Sequence, residues 1–216
     1  MTRPRRRHGA ARRPVQRPAR VLLTGFGPFP GTPYNPAETI VRRLAASGAL
    51  RTLPARIETL VLDTVWSRLD ALEARIAEVR PDIVVMLGVQ RADGAVRLER
   101  VARAHATARI ADHAGRHPPA HFAARGPGHM RSRLPVAGLA AALRRAGAPV
   151  RVSEDAGRYL CNAGLRTALA ARVAGRPPAQ AIFVHVPPPR PARGHRPADF
   201  ERLIIALLKA LIDTRT

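Results

Sequence analysis

Three short apolar runs, each cut off by glycine or proline, constrain the fold more than any other feature. Val21-Leu22-Leu23-Thr24 stops at Gly25, Ile83-Val84-Val85-Met86-Leu87 stops at Gly88, and Ala181 to Val186 stops at Pro187. Runs this short without polar alternation read as strands buried on both faces. Amphipathic segments separate them. Asn35-Pro36 supplies an N-cap and a first-turn proline to a helix carrying Ile40, Val41 and Leu44 at helical spacing. Ser67 to Val79 places Leu69, Leu72 and Ile76 on one face, and further helices are expected over 136–145, 161–173 and 200–212. Additional strands are expected over 57–62, 96–101 and 150–152. Buried strands alternating with amphipathic helices predict the α/β class, with a mostly parallel sheet and helices on both faces. In such folds chemistry gathers at the carboxyl ends of the strands.

The 216 residues suit one α/β domain over 20–216 and a tail. Residues 1–19, with Arg3-Pro4-Arg5-Arg6-Arg7 and Arg12-Arg13, hold too little apolar surface to offset the entropy of ordering, and disorder is expected there. The net charge of +22 raises nucleic acid as a partner. Yet only Lys209 is lysine, and an arginine- and alanine-rich chain is what a GC-rich genome writes. With aromatics at 4%, base-stacking platforms are scarce, so nucleic-acid binding is not the expected function. No apolar run approaches the ~20 residues of a membrane span, and the N-terminus lacks the apolar core of a secretory signal. The single cysteine, Cys161, rules out an intramolecular disulfide and fits a reducing, cytoplasmic location.

Cys161 follows Gly157-Arg158-Tyr159-Leu160 at the start of an expected helix, where backbone N–H groups and the helix dipole favour thiolate. A lone cysteine is more commonly a small buried hydrophobe. His185 ends the apolar strand Phe183-Val184-His185-Val186, and Glu99 sits in Leu98-Glu99-Arg100-Val101. Taken singly, the first reads as a core histidine and the second as a surface charge. Taken together, the three types compose a nucleophile, a base and an orienting carboxylate. The Gly25-Phe26-Gly27-Pro28-Phe29 turn lacks the ending of a phosphate-binding loop; its phenylalanines suggest an apolar wall. His113, His117 and His121 are four apart, but Pro118-Pro119 breaks any helix that would align them on a metal.

These blocks resemble a known family. Leu22 to Phe29 followed by Asn35-Pro36, Leu98-Glu99-Arg100-Val101 continuing to Ala108-Arg109-Ile110 and Asp112, Ala156-Gly157-Arg158-Tyr159-Leu160-Cys161-Asn162, and Phe183-Val184-His185-Val186-Pro187 look like the ordered motifs of pyroglutamyl-peptidase I, a cysteine peptidase family. The resemblance spans about residues 20 to 190. It implies a single three-layer α/β/α sandwich around a mostly parallel twisted sheet, and removal of an N-terminal pyroglutamyl residue from peptides. Cys161 would form the acyl-enzyme, His185 would act as base and then acid, and Glu99 would orient it. Backbone N–H groups and Arg109 would stabilise the oxyanion. Phe26, Phe29, Ile110 and Tyr159 would line the lactam slot, with Tyr159 in place of a usual phenylalanine. No metal or organic cofactor is implied. Family members often assemble as dimers or tetramers, which allows a homo-oligomer here.

The chain departs from the family pattern at several places. Ala104 stands for asparagine, Ala111 for proline, His113 for asparagine, Ala163 for histidine and Pro188 for tyrosine, and Val89-Gln90-Arg91-Ala92-Asp93 replaces a glycine-rich run. These positions leave open two alternatives: a related amide hydrolase of altered specificity, and a catalytically silent member used for binding.

Overall fold

A computed structural model describes residues 17–90, 94–104, 111–119, 128–171, 180–189 and 197–214. Residues 1–16 of the expected tail lie outside the described residues. Arg17 already belongs to the folded part: its guanidinium holds the Asp82 carboxylate through two hydrogen bonds of 3.0 and 2.6 Å.

Eight strands and five α-helices are described. In chain order they are β1 (Ala19–Phe26), α1 (Pro36–Ser47), β2 (Ala55–Leu62), α2 (Arg68–Val79), β3 (Ile83–Val89), β4 (Val96–Glu99), β5 (Val101–Ala102), β6 (Met130–Arg131), α3 (Val136–Arg145), β7 (Val150–Ser153), α4 (Leu160–Ala170), β8 (Gln180–Val186) and α5 (Pro197–Asp213). The main sheet runs in the order β2-β1-β3-β8-β4-β7, and β5 with β6 forms a small second sheet. Strands β2, β1, β3 and β8 are mutually parallel, whereas β4 pairs antiparallel with β8 and parallel with β7.

The period-2 alternation of the strands sorts their side chains into two cores. Val21, Leu23, Ile83, Val85, Ile182 and Val184 face one side, where α1, α3 and α5 cover them. Leu22, Phe26, Val84, Met86 and Phe183 face the other side, under α2 and α4. The result is the expected mostly parallel sheet with helices on both faces. The expected N-cap is also present. Asn35 accepts a hydrogen bond from the Ala37 N–H at 3.1 Å, Pro36 opens α1, and Gly48 ends it at φ 74°. Capping of this kind contributes about 1 kcal/mol.

One expected strand divides. Val96 to Val101 was predicted as continuous, but the chain changes partner at Arg100. Glu99 still pairs with Ser153 of β7, while Val101 pairs with Arg131 of β6. The switch loses no backbone bonds, since the Arg100 N–H donates to the Ser153 carbonyl and its own carbonyl accepts from the Ser132 N–H. The helix expected over 161–173 is described as Leu160–Ala170, and residues 172 and 173 lie outside the described residues.

Candidate active site

The sheet register places Glu99 and His185. Both belong to the face under α2 and α4. In the antiparallel β4–β8 pair Glu99 lies opposite Phe183 and Arg97 opposite His185, which makes Glu99 and His185 diagonal neighbours on one face. His185 Nδ1 is 2.9 Å from Glu99 Oε1. A carboxylate only accepts, so Nδ1 carries the hydrogen and Nε2 is left for another partner. Both groups are deeply buried, Glu99 at 1% and His185 at 6% exposure. Glu99 Oε2 has no hydrogen-bond partner among the described residues, so the histidine is the carboxylate's own counterpart.

Cys161 approaches His185 from α4. Tyr159 is the N-cap of this helix in extended conformation, and no side chain caps it. The N–H groups of the first turn, that of Cys161 included, are therefore not taken up by a capping side chain. Burial, the largest influence on His185, works to lower its pKa. The charge and side-chain hydrogen bond of Cys161, together with those of Glu99, outweigh it, and the imidazole is raised from 6.5 to about 9. At neutral pH this places an imidazolium beside the sulfur.

Two glycines let these parts close. A methyl at Gly88, which pairs with His185 across β3 and β8, would come within 2.6 Å of the Phe183 ring and 3.4 Å of Cys161 Sγ. A methyl at Gly164 would come within 2.7 Å of Met86 Cε and 3.3 Å of the Phe26 ring, so its absence lets α4 lie close on the sheet. Behind the nucleophile, Asn162 grips the backbone of Arg103. Its Oδ1 accepts from the Arg103 N–H at 2.7 Å and its Nδ2 donates to the Arg103 carbonyl at 3.2 Å. The start of α4 is thereby fixed to the chain that leaves Glu99.

An aromatic wall stands beside the thiol. Half-buried Phe29 packs on Tyr159 with ring centroids 5.9 Å apart, and buried Trp66 meets Tyr159 edge-on at 5.7 Å. Phe26, 2% exposed, backs this region and stacks on Phe183 at 6.2 Å. Of the residues expected in the site, Cys161, His185, Glu99, Phe29, Phe26 and Tyr159 gather at this end of the sheet. Arg109 and Ile110 lie outside the described residues, as do Arg91, Ala92, Asp93 and His121. Sequence reasoning took Gly88 as the end of a strand that in fact runs through it to Val89, and it gave no separate role to Asn162 or Trp66. A lone tryptophan just past the carboxyl end of a strand, at the level where sites form, was the available signal for the last.

The model of the pyroglutamyl peptidase family matches residues 19–193. The chain belongs to this family. Pyrrolidone-carboxylate peptidase 1 of Ralstonia nicotianae is 36% identical over 202 residues, covering 90% of this chain and 91% of that protein. The Levilactobacillus brevis pyrrolidone-carboxylate peptidase is 35% identical over 170 residues, covering 78% and 81%. Among solved structures, a variant of pyrrolidone carboxyl peptidase from the hyperthermophile Pyrococcus furiosus superposes with a TM-score of 0.78 at 25% identity, over 91% of this chain and all of that one. Bacillus amyloliquefaciens pyroglutamyl peptidase I gives the same TM-score and identity over 90% and 97%. The pyroglutamyl peptidases are peptide hydrolases with this α/β fold. Among the described residues no helix is long and apolar enough to cross a membrane.

Proposed function

We propose that this chain removes the N-terminal pyroglutamyl residue from peptides, with Cys161 as nucleophile, His185 as general base and acid, and Glu99 as its orienting partner. The observation that carries the reading is the buried imidazole held between the Glu99 carboxylate, at 2.9 Å, and the Cys161 thiol. The thiolate sulfur attacks the pyroglutamyl carbonyl carbon, a C–S bond forms, and the carbonyl oxygen takes the negative charge. The uncapped first-turn N–H groups of α4 suit that oxyanion. Collapse breaks the C–N bond, and the His185 imidazolium gives its proton to the leaving amine. Neutral His185 then takes a proton from water, hydroxide adds to the thioester, and the C–S bond breaks to release pyroglutamate and restore the thiolate. Glu99 keeps Nδ1 protonated and the ring aligned in both half-reactions.

The lactam is compact and uncharged, so it suits an apolar recess with a few amide partners. Phe29 and Tyr159 offer such a face next to the sulfur. The test is release of a fluorescent amine from a pyroglutamyl amide under reducing conditions. Turnover by the wild type that vanishes in Cys161→Ala supports the proposal. A folded wild type without turnover of this substrate refutes the pyroglutamyl assignment, and full activity in Cys161→Ala refutes the mechanism.

A further inference from the structure

Tyr159 occupies the position where a helix commonly carries a capping side chain, yet it caps nothing. Its hydroxyl instead donates at 3.1 Å to the carbonyl of Ala111, 48 residues earlier in the chain. Ala111 opens a segment that is itself held rigidly. The Asp112 side chain, 1% exposed, accepts from the N–H groups of Ala114 at 2.9 Å, Arg116 at 2.8 Å and Trp66 at 3.0 Å. The His113 N–H donates to the Thr64 carbonyl at 2.9 Å, and the Thr64 hydroxyl donates to the Gly27 carbonyl at 2.7 Å. Gly27 is further held by the Asn35 amide at 2.8 Å. The turns that follow β1 and β2 and the segment at Ala111 are thus one hydrogen-bonded frame. Tyr159 ties this frame to the start of α4: its ring touches Trp66 and Phe29, and its hydroxyl adds a directional bond.

We infer that the Tyr159 hydroxyl is a positioning group for the acyl slot, latching the start of α4 to the Ala111 carbonyl and so fixing the distance between the aromatic wall and Cys161. The inference rests on the pyroglutamyl reading given above. Ring packing alone tolerates tilting, because aromatic pairs are stable over a range of angles and centroid distances. A directional O–H···O bond removes that freedom. The hydroxyl also keeps its proton. Burial, with smaller contributions from the charges of Asp112 and Cys161, raises its pKa from 10 to about 12, so it remains a donor throughout the range in which a thiol enzyme works. A slot of fixed width matters most for binding a small, rigid lactam and least for the bond-making steps, which Cys161 and His185 carry out.

The experiment uses full-length protein and Tyr159→Phe, which keeps the ring and removes the bond. With a fluorogenic pyroglutamyl amide, KM is expected to rise about three- to tenfold while kcat falls by less than about twofold, the size and split of one lost neutral hydrogen bond used in binding. Trp66 is the chain's single tryptophan and touches the Tyr159 ring, so acrylamide quenching of its emission is expected to increase in the variant. A p-aminophenylalanine at position 159, which restores a donor, is expected to bring both readouts back toward wild type. Unchanged KM in Tyr159→Phe overturns the latch, as does an equal fall of kcat and kcat/KM, which would put the hydroxyl in the chemistry. Absence of turnover in the wild type removes the pyroglutamyl reading and the inference with it. Unchanged Trp66 quenching alongside normal wild-type turnover removes the latch alone.

Discussion

Replacing Glu99 with glutamine isolates the electrostatic part of the proposed triad. The two side chains have nearly the same shape, so the buried site is not emptied, and only the charge is lost. The His185–Glu99 contact is a buried, charge-assisted hydrogen bond of 2.9 Å. Such bonds contribute about 1.5–3 kcal/mol, and each 1.36 kcal/mol corresponds to about one pKa unit. Loss of the carboxylate removes a stabiliser of the cation, so the imidazolium becomes more acidic. His185, raised to about 9 in the intact site by Cys161 and Glu99 against the opposing effect of burial, should fall to about 7–8 in the variant. In the proposed mechanism the acidic form of His185 protonates the leaving amine, so the alkaline limb of the kcat/KM profile for a pyroglutamyl amide reports this pKa. That limb is expected near 9 in the wild type. It should move about 1–2 units toward acid in Glu99→Gln. At neutral pH kcat/KM should fall about ten- to a hundredfold. An alkaline limb that stays in place, with activity reduced or not, would refute the coupling between Glu99 and His185.

Three further outcomes are expected. Cys161→Ala and Cys161→Ser should abolish hydrolysis of the same amide, and His185→Ala should come close to doing so; it also strands the Glu99 carboxylate, whose other oxygen lacks a partner among the described residues, so thermal melting should shift down too. Gly88→Ala forces a methyl against the Phe183 ring and toward the Cys161 sulfur, and should cost about 1–3 kcal/mol of stability by denaturant unfolding together with a drop in kcat; an unperturbed enzyme would mean that the ring and α4 give way freely. Asn162→Ala removes both bonds to the Arg103 backbone and should lower stability by about 1–3 kcal/mol, with slower alkylation of Cys161 as α4 loosens.

The layers of the fold were legible because the signals that specify them are local. Ile83 to Leu87 is apolar at every position and is buried at every position, and Asn35-Pro36 caps and opens α1 as the pair predicts. Local signals do not specify strand direction. Nothing in Val96 to Glu99 shows that this strand runs against β8, because hydrophobic alternation is the same read either way. The break at Arg100 was hidden for the same reason. Val101, like Leu98, is apolar and buried, and only the change of pairing partner from β7 to β6 separates the two strands.

Strand direction also explains why the candidate site could be named from motifs but not assembled from them. Glu99 and His185 are separated by 86 positions, and in the observed pairing it is Arg97, toward the amino end of β4, that lies level with His185. Because β4 runs antiparallel, the register Glu99 opposite Phe183 sets the carboxylate one diagonal step from the imidazole. The third member arrives from a helix rather than a strand, and its approach depends on residues with no side chain to announce them. Gly88 keeps the space between Phe183 and Cys161 clear, and Gly164 lets α4 settle on Met86 and Phe26. A glycine in a strand or helix commonly reads as a local weakness in the sequence. Here each marks a place where two elements must come closer than a methyl group allows, and that close approach brings the thiol to a histidine already aligned by its carboxylate.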